Sequence, residues 1–289
     1  MKRNAIIRIV IWSIVLLLLT TLLVTAILFR SFSFRNWNGM DHQENTPMHA
    51  LPSEESVSFS PEDVDSLEIE WAAGSITLQP ADVAAITITE SDVSDEKYAM
   101  LYQLNNRKLS IRFCEDTHFG FGVTVNTDLS KDLYIQVPRD WVCRELEIDA
   151  ASAALEVSDL TLGDVELDTA SGVCRLDNCT VNTIDVDTAS GDIRFSGSLN
   201  TLDFDGASAS IYAELTNCPS RIDVDTMSGD LDLTLPEGCG FTVSMNAMSS
   251  RFSSDFETTT QNGSHVYGDG SCRINVDAMS GDVILRKAQ

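Results

Sequence analysis

Apolar and polar residues alternate along most of the chain from residue 61 onward, which is the pattern of β-strands that bury one face. The segment "LEIEWAAGSITLQP", beginning at Leu67, is the first clear example, and shorter ones follow at 85–89, 108–113 and 132–138. Helical periodicity is weak and confined to residues 92–106. The pattern therefore predicts an all-β domain over residues 61–289.

The alternation becomes a repeat in the second half of the chain. Each copy contains an acidic phrase such as "VDTASGDIRF" at 186–195, and the copies align on a serine: Ser152, Ser171, Ser190, Ser208, Ser228, Ser249 and Ser280. The residues four and six positions before this serine are apolar in every copy, and those three and five positions after it are apolar except at Ser254. The strand that begins at Leu67 fits the same frame, with Ala73 in the serine position.

A repeat of about 19 residues with two alternating segments predicts a β-solenoid, whose coils stack on one another at about 4.8 Å. A sandwich of hairpins is the alternative, but it needs a turn signal at every connection, and these are mostly missing. One such signal, Asn262-Gly263, lies in the longest gap between repeats. It predicts a hairpin at 253–271 that protrudes from one coil.

The first part of the chain has the features of a membrane anchor. Residues 9–29 carry no charge and are numerous enough to span a hydrocarbon core of about 30 Å as a helix. A cleaved signal peptide, with its cleavage site at 24–26, is the alternative. Lys2, Arg3 and Arg8 favour a cytoplasmic N-terminus. The predicted organisation is a cytoplasmic N-terminus at 1–8, a transmembrane helix at 9–29, a linker or stalk at 30–60 and an extracytoplasmic β-solenoid domain at 61–289.

Charge and cysteine content exclude several classes of function. The chain has 44 acidic and 19 basic residues, for a net charge of −25. A chain this acidic repels phosphate, which excludes a nucleic-acid partner. The seven cysteines include no Cys-x-x-Cys pair, so a zinc site is not predicted, and their odd number leaves at least one unpaired within the chain. We expect mostly free, buried thiols.

Carboxylates recur at two positions of the repeat, and stacked coils would place them in two columns. One column contains Glu147, Glu166, Asp185, Asp203 and Asp223, and the other contains Asp149, Asp168, Asp187, Asp205 and Asp225. At about 4.8 Å two unit charges repel by about 0.9 kcal/mol even in water. Because Ca²⁺ and Mg²⁺ take oxygen ligands, the second column is the candidate metal site, with Ca²⁺ as the candidate ion.

A scaffold is the competing interpretation of the acidic phrase, and we favour it. In a scaffold the aspartates face water and attract only a diffuse cation atmosphere, so no cofactor is predicted. Glycine would supply a conformation at the corner between strands that other residues do not reach. The glycines concerned are Gly172, Gly191, Gly229 and Gly281.

No catalytic residue is predicted. The domain at 61–289 contains two histidines, His118 and His265, and no Gly-x-Ser-x-Gly motif. Paired carboxylates occur all along the acidic columns, so no pair is singled out for glycoside cleavage. The alternative to a non-catalytic protein is a carbohydrate-active β-helix, a glycoside hydrolase or lyase acting on wall glycans.

The segment "LYIQVPRDWVCRELEIDAASAALEV" at 133–157, followed by the repeated "DTASGD" phrase, resembles the bacterial putative-adhesin family, a domain of unknown function. The resemblance covers about residues 67–285. It implies a right-handed, single-stranded β-helix and a membrane-anchored protein without catalytic residues. It also implies an occasional genetic association with regulators of cell-envelope stress.

Together these features predict a membrane-anchored, extracytoplasmic, adhesin-like interaction module of the bacterial cell envelope. Its N-terminal helix contacts the membrane, and its partner is an envelope protein or a glycan. The acidic outer face disfavours anionic wall polymers. The hairpin at 253–271 is a candidate contact, and we expect its deletion to leave folding intact.

Overall fold

The computed structural model describes residues 48–51, 55–91, 93, 98–114 and 130–288. Within these ranges the chain is all β, with no α-helix. The strands are β1 His49–Ala50, β2 Ser56–Phe59, β3 Ser66–Ala81, β4 Ile86–Ser91, β5 Leu101–Asn105, β6 Lys108–Arg112, β7 Lys131–Pro138, β8 Val142–Ser158, β9 Thr161–Thr169, β10 Cys174–Ser190, β11 Ile193–Ser208, β12 Ile211–Leu215, β13 Arg221–Ser228, β14 Leu231–Leu235, β15 Phe241–Ser249, β16 Phe252–Ser254, β17 Thr259–Gln261, β18 Ser264–Tyr267, β19 Cys272–Ser280 and β20 Val283–Lys287.

Two stacks of parallel strands form the body of the domain. The serine on which the repeats align is called the corner serine, because the strands change direction there. In the first stack, the segments before the corner serine lie side by side in the order β3, β8, β9, β10, β11, β13, β19, β15. In the second stack, the segments after the serine follow the order β3, β8, β10, β11, β12, β14, β20, β16. The long strands pass from one stack to the other, so the chain winds as a solenoid.

The serine alignment made from the sequence is confirmed by the strand register. Ser208 pairs with Ser190 on one side and with Ser228 on the other, and Ala73 pairs with Ser152 as the frame predicts. The apolar positions on either side of the serine form the core, and nearly all of them are at most 5% exposed. The exceptions are Met245, Phe252 and Ser254 in the coil at the end of the stack. Burial of these columns drives the stacking.

The coils do not all stack in chain order. The Ser280 coil (272–287) lies between the Ser228 coil (221–235) and the Ser249 coil (241–254), because β19 pairs with both β13 and β15. At the other end, β3 lies between β8 and the later strands β6 and β7. The prediction that each coil stacks on the next coil in the chain is therefore wrong at both ends of the solenoid. Local periodicity specifies a strand but not which distant strand pairs with it.

Antiparallel strands cover the N-terminal end of the solenoid. β5 and β1 extend the first stack beyond β6, and β4 and β2 extend the second stack beyond β7. β1 and β2 fall within residues 30–60, so the last part of the predicted linker belongs to the fold. Val57 and Phe59 alternate with serines there, but the segment is too short to be recognised as a strand from its sequence alone.

The predicted membrane span at 9–29 lies outside the described residues. Over the described ranges, no helix combines the length and the hydrophobicity that crossing a bilayer requires. The assignments of residues 1–8 and 9–29 therefore stay predictions.

The predicted hairpin is present, with β17 and β18 paired around Asn262-Gly263, both at positive φ. It does not protrude freely, because β18 pairs with the first three residues of β15. Phe256 is 4% exposed and packs edge-on against Phe241. Deleting 253–271 would remove Phe256 from the core, so we now expect this deletion to destabilise the fold.

Candidate functional site

The repeated phrase builds the corner between the two stacks. The hydroxyl of Ser190 donates to the Ala170 carbonyl in the preceding coil at 3.4 Å, and Ser171 donates in the same way to Ala151. The buried Thr188 hydroxyl donates to the Ser190 carbonyl at 3.0 Å. The serine hydroxyls hold one coil to the next and the Thr188 hydroxyl fixes the corner within its own coil, which supports the scaffold interpretation of the phrase.

Two different constraints require glycine at this corner. Gly191 has a φ of 117°, and a Cβ there would lie 1.9 Å from the Gly172 carbonyl oxygen. Gly229 does not share that backbone conformation, but a Cβ there would lie 1.8 Å from the Ala209 carbonyl oxygen. At each of the corner glycines Gly172, Gly191, Gly229 and Gly281, the absence of a Cβ allows the neighbouring coil to approach closely. Only some of them also adopt a left-handed conformation.

Carboxylates lie in register on the outward face of the first stack, and this acidic face is the candidate functional site. Strand pairing places successive members of each column at the coil spacing of about 4.8 Å. The predicted columns are confirmed, and each continues further than predicted. The Glu147 column comprises Glu68, Glu147, Glu166, Asp185, Asp203 and Asp223, and the Asp149 column comprises Glu70, Asp149, Asp168, Asp187, Asp205, Asp225 and Asp277.

Burial and mutual repulsion raise the pKa values of several carboxylates in the acidic face. Burial is the largest cause, followed by the carboxylates of neighbouring coils. The pKa rises to about 8 at Asp149, to about 7 at Asp168 and to about 6 at Asp205. The pKa values of Asp225 and Glu166 are raised for the same two reasons. The face therefore retains protons near neutral pH, and an approaching cation stabilises it.

Basic side chains lie at the N-terminal end of the acidic face. Arg112 Nε lies 2.9 Å from Glu70 Oε2, and Lys108 Nζ lies 2.7 Å from Glu147 Oε2. Burial still raises the pKa of Glu70, and it outweighs the Arg112 guanidinium. These ion pairs mark the N-terminal limit of the acidic face.

A shallow groove of about 630 Å³ lies at the C-terminal end of the acidic face. Within it Arg221 pairs with Asp223, and Asn275 donates to Asp223 Oδ1 at 2.7 Å. Burial opposes these hydrogen bonds, but they outweigh it and lower the pKa of Asp223. The groove is also lined by Asp203, Asp205, Asp225, Asp277, Ser244, Met245 and Asn246.

The candidate metal ligands Asp149, Asp168, Asp187, Asp205 and Asp225 lie in one column, one per coil. Across the part of the chain that the structure describes, no group of three or more histidine, cysteine or acidic residues is arranged to hold a metal ion. A straight column presents oxygens along a line, whereas Ca²⁺ takes about six to eight oxygens around itself. Ca²⁺ binding stays a prediction.

The disulfide between Cys218 and Cys239 was missed by the sequence analysis. The two residues are 21 apart, about one repeat, and this spacing is the only sequence signal that points to the bond. It fastens the turn before the Ser228 coil to the turn after it. The other five cysteines are reduced and buried, which confirms the expectation of mostly free thiols. Burial raises the pKa of Cys174 to about 11, as suits an inert core residue.

The two histidines considered for catalysis have different outcomes. His118 lies outside the described residues. His265 stacks on the Phe252 ring with their centroids 4.1 Å apart, which gives it a packing role at the end of the solenoid.

Residues 64–211 match the family described as Toastrack DUF4097, and the match covers just over half of the 289 residues. The chain belongs to the Toastrack DUF4097 family. No curated protein matches this Toastrack chain.

Several solved structures are similar to the Toastrack chain. A "putative cell adhesion protein" from Clostridium sporogenes has 11% identity and a TM-score of 0.35, covering 82% of this chain and 100% of its own. A "putative adhesin" from Bacteroides fragilis has 11% identity and a TM-score of 0.45, with coverages of 81% and 98%. A "putative lipid binding protein" from Parabacteroides distasonis has 12% identity and a TM-score of 0.37, with coverages of 83% and 98%. At these identities and TM-scores, none of the three names is carried over to this chain.

Proposed function

We propose that this Toastrack protein is a membrane-anchored, extracytoplasmic, non-catalytic interaction module of the bacterial cell envelope, whose acidic face binds a cationic partner. The observation that carries the proposal is the register of the two acidic columns, which places like charges about 4.8 Å apart over successive coils. Burial, and after it the repulsion between these charges, raises the pKa values of Asp149, Asp168 and Asp205. A partner that lays positive charge across the columns relieves this repulsion.

The chemistry of the face favours a basic segment of an envelope protein over a wall glycan. Anionic wall polymers are repelled by a chain of net charge −25. An extended peptide places alternate side chains about 6.8 Å apart on one face, close to the separation between the two columns along each strand. Lysine or arginine at alternate positions of such a segment can contact both columns.

The proposed location rests on two features. Residues 9–29 are long and apolar enough for a membrane anchor. The Cys218–Cys239 disulfide suits an oxidising compartment outside the cytoplasm. Cell fractionation tests the anchor: the full-length protein should sediment with membranes, and a variant lacking 9–29 should not. A role in the response to envelope stress is the part of the proposal that only the family resemblance supports.

The binding proposal is tested by titrating the full-length protein with a synthetic peptide of alternating lysine and serine. We expect saturable binding that weakens with added salt and is lost when the lysines are acetylated. The variant Asp168→Asn/Asp205→Asn should bind more weakly. The matched control, Asp63→Asn/Glu214→Gln, removes the same number of carboxyl groups outside the two columns and should bind like the wild type. Equal weakening in both variants would show a response to net charge alone and would contradict a specific acidic face.

The enzymatic alternative has one observation in its favour, since paired carboxylates of unequal pKa are also a feature of glycosidases. Asp149 and Asp168 fit that description, but so do their neighbours in successive coils. A screen of the full-length protein against wall glycans separates the two functions. Turnover that is lost in Asp168→Asn would establish an enzyme and overturn the proposal.

A further inference from the structure

Three methionines form a row at the corner where the acidic face ends. Met227, Met279 and Met248 each precede the corner serine, in the Ser228, Ser280 and Ser249 coils respectively. These coils are neighbours in the stack, and the residues on both sides of each methionine are paired in register with those of the adjacent coil. The three methionines therefore repeat at the coil spacing of about 4.8 Å.

Packing does not account for two of the three methionines. Met248 is 84% exposed and Met279 is 55% exposed, so most of their surface stays in water, whereas Met227 is half-buried. Alanine occupies the same position in the other coils that carry the repeat: Ala72, Ala151, Ala170, Ala189 and Ala207. The corner therefore folds with alanine at this position, and methionine replaces alanine only in three coils that are adjacent in space.

The row lies in a field that attracts cations. Asp225 and Asp277 precede Met227 and Met279 by two residues and lie on the same outward side of their strands. In the Ser249 coil the residue two positions before Met248 is Asn246, so carboxylates at this position accompany Met227 and Met279 but not Met248.

We propose that Met227, Met279 and Met248 form a binding site for a soft monovalent metal ion of the Cu(I) class. Thioether sulfur is a soft, uncharged ligand that suits Cu(I), whereas Ca²⁺ and Mg²⁺ take oxygen ligands. Methionine has three rotatable side-chain bonds, so thioethers from neighbouring coils about 4.8 Å apart can converge on one ion. Nearby carboxylates balance the single positive charge without acting as ligands. Binding is reversible and involves no change of oxidation state.

The site is tested with Ag(I), which has the same charge and softness as Cu(I) and is stable in air, and with Cu(I) under anaerobic conditions. The full-length protein, labelled with ¹³C at the methionine methyl groups, is titrated with each ion. We expect one saturable site and simultaneous shifts of the three methyl resonances of Met227, Met248 and Met279. The methyl group of Met100, which is fully buried, should not shift.

The decisive variant is Met227→Leu/Met248→Leu/Met279→Leu. Leucine keeps the apolar surface and all seven cysteines but removes the thioethers, and we expect loss of the saturable site. Met100→Leu, a change at a buried methionine toward the N-terminal end of the solenoid, is the matched control and should bind as the wild type does. Saturable binding that persists in the triple variant, or a wild type without it, overturns the proposal. The lysine peptide should bind the triple variant normally, so the two proposals fail separately.

Discussion

At the level of single residues, Asp149 shows how aligned carboxylates destabilise the folded state. Its pKa rises to about 8 because it is buried and faces the carboxylates of adjacent coils, Asp168 first. Like charges directly opposite each other in a sheet destabilise by roughly 0.2–1 kcal/mol per pair. The destabilisation is absent when the group is protonated in both the folded and unfolded states.

We therefore predict that Asp149→Asn raises the free energy of unfolding by about 1 kcal/mol at pH 8 and leaves it nearly unchanged at pH 4. Urea unfolding of the full-length protein at the two pH values measures both quantities. Asp63→Asn, in an exposed turn, is the control and should change neither value. A variant that is less stable than the wild type at pH 8 would show that the Asp149 carboxylate contributes favourable contacts instead of repulsion.

Lys131 is the opposite case, a buried charge whose ammonium donates to Glu90 Oε2 and to the carbonyls of Tyr98 and Phe113. Its ammonium lies 2.6 Å from Glu90 Oε2 and 4.2 Å from the Phe113 ring centroid, and both charged side chains are at most 2% exposed. Lys131→Met leaves the Glu90 carboxylate buried without its ion-pair partner, so we predict a loss of about 3–5 kcal/mol of stability.

Urea unfolding again supplies the measurement for Lys131. The double variant Lys131→Met/Glu90→Gln removes both charges and should recover part of the loss, because no buried charge then lacks a partner. If the double variant is less stable than the single one, the ion pair is not the source of the effect.

At the level of elements, the strands of the repeat could be predicted because their information is local. The alternation around Ser190 specifies which residues enter the core, and the fixed spacing specifies the acidic register. The insertion of β19 between β13 and β15 could not be predicted, since it depends on pairing between segments that are not adjacent in sequence. The same holds for the candidate site. The two acidic columns could be predicted from the sequence, but the groove could not, because it requires the inserted coil.

The inserted coil gives a prediction for the C-terminal element. A chain truncated after Ser271 lacks β19 and β20, so the Ser249 coil loses its neighbour in both stacks. We expect hydrogen exchange to become fast throughout 241–254 and faster in the Ser228 coil, which loses β19 beside β13 and β20 beside β14. A control that lacks only Ala288 and Gln289 should keep its protection. Unchanged protection of 241–254 after the longer truncation would mean that β15 can pair directly with β13.

At the level of the whole molecule, two groups of carboxylates oppose each other in the pH dependence of stability. The raised pKa values of Asp149, Asp168 and Asp205 mean that the folded state binds protons more tightly there, so stability falls as pH rises from about 4 to about 8. The hydrogen bond from Arg107 lowers the pKa of Asp65, whose contribution is lost as pH falls below about 4.

We therefore predict a melting temperature that is highest between about pH 4 and 5 and that declines toward pH 8. Added salt should raise the melting temperature at pH 8, because it screens repulsion along the columns. Thermal melts over this pH range, at low and high salt, provide the measurement. A melting temperature that rises steadily toward pH 8 would contradict repulsion as the dominant electrostatic effect.

The proposed function depends on the acidic columns acting as coupled, in-register charges. The most direct test is an NMR titration of the aspartate carboxyl carbons in the full-length protein. We predict pKa values near 8 for Asp149 and near 7 for Asp168, with Asp65 below the usual value. Values near 3.8 along the whole Asp149 column, the ordinary value for aspartate, would contradict the account. The acidic face would then have no excess repulsion for a cationic partner to relieve.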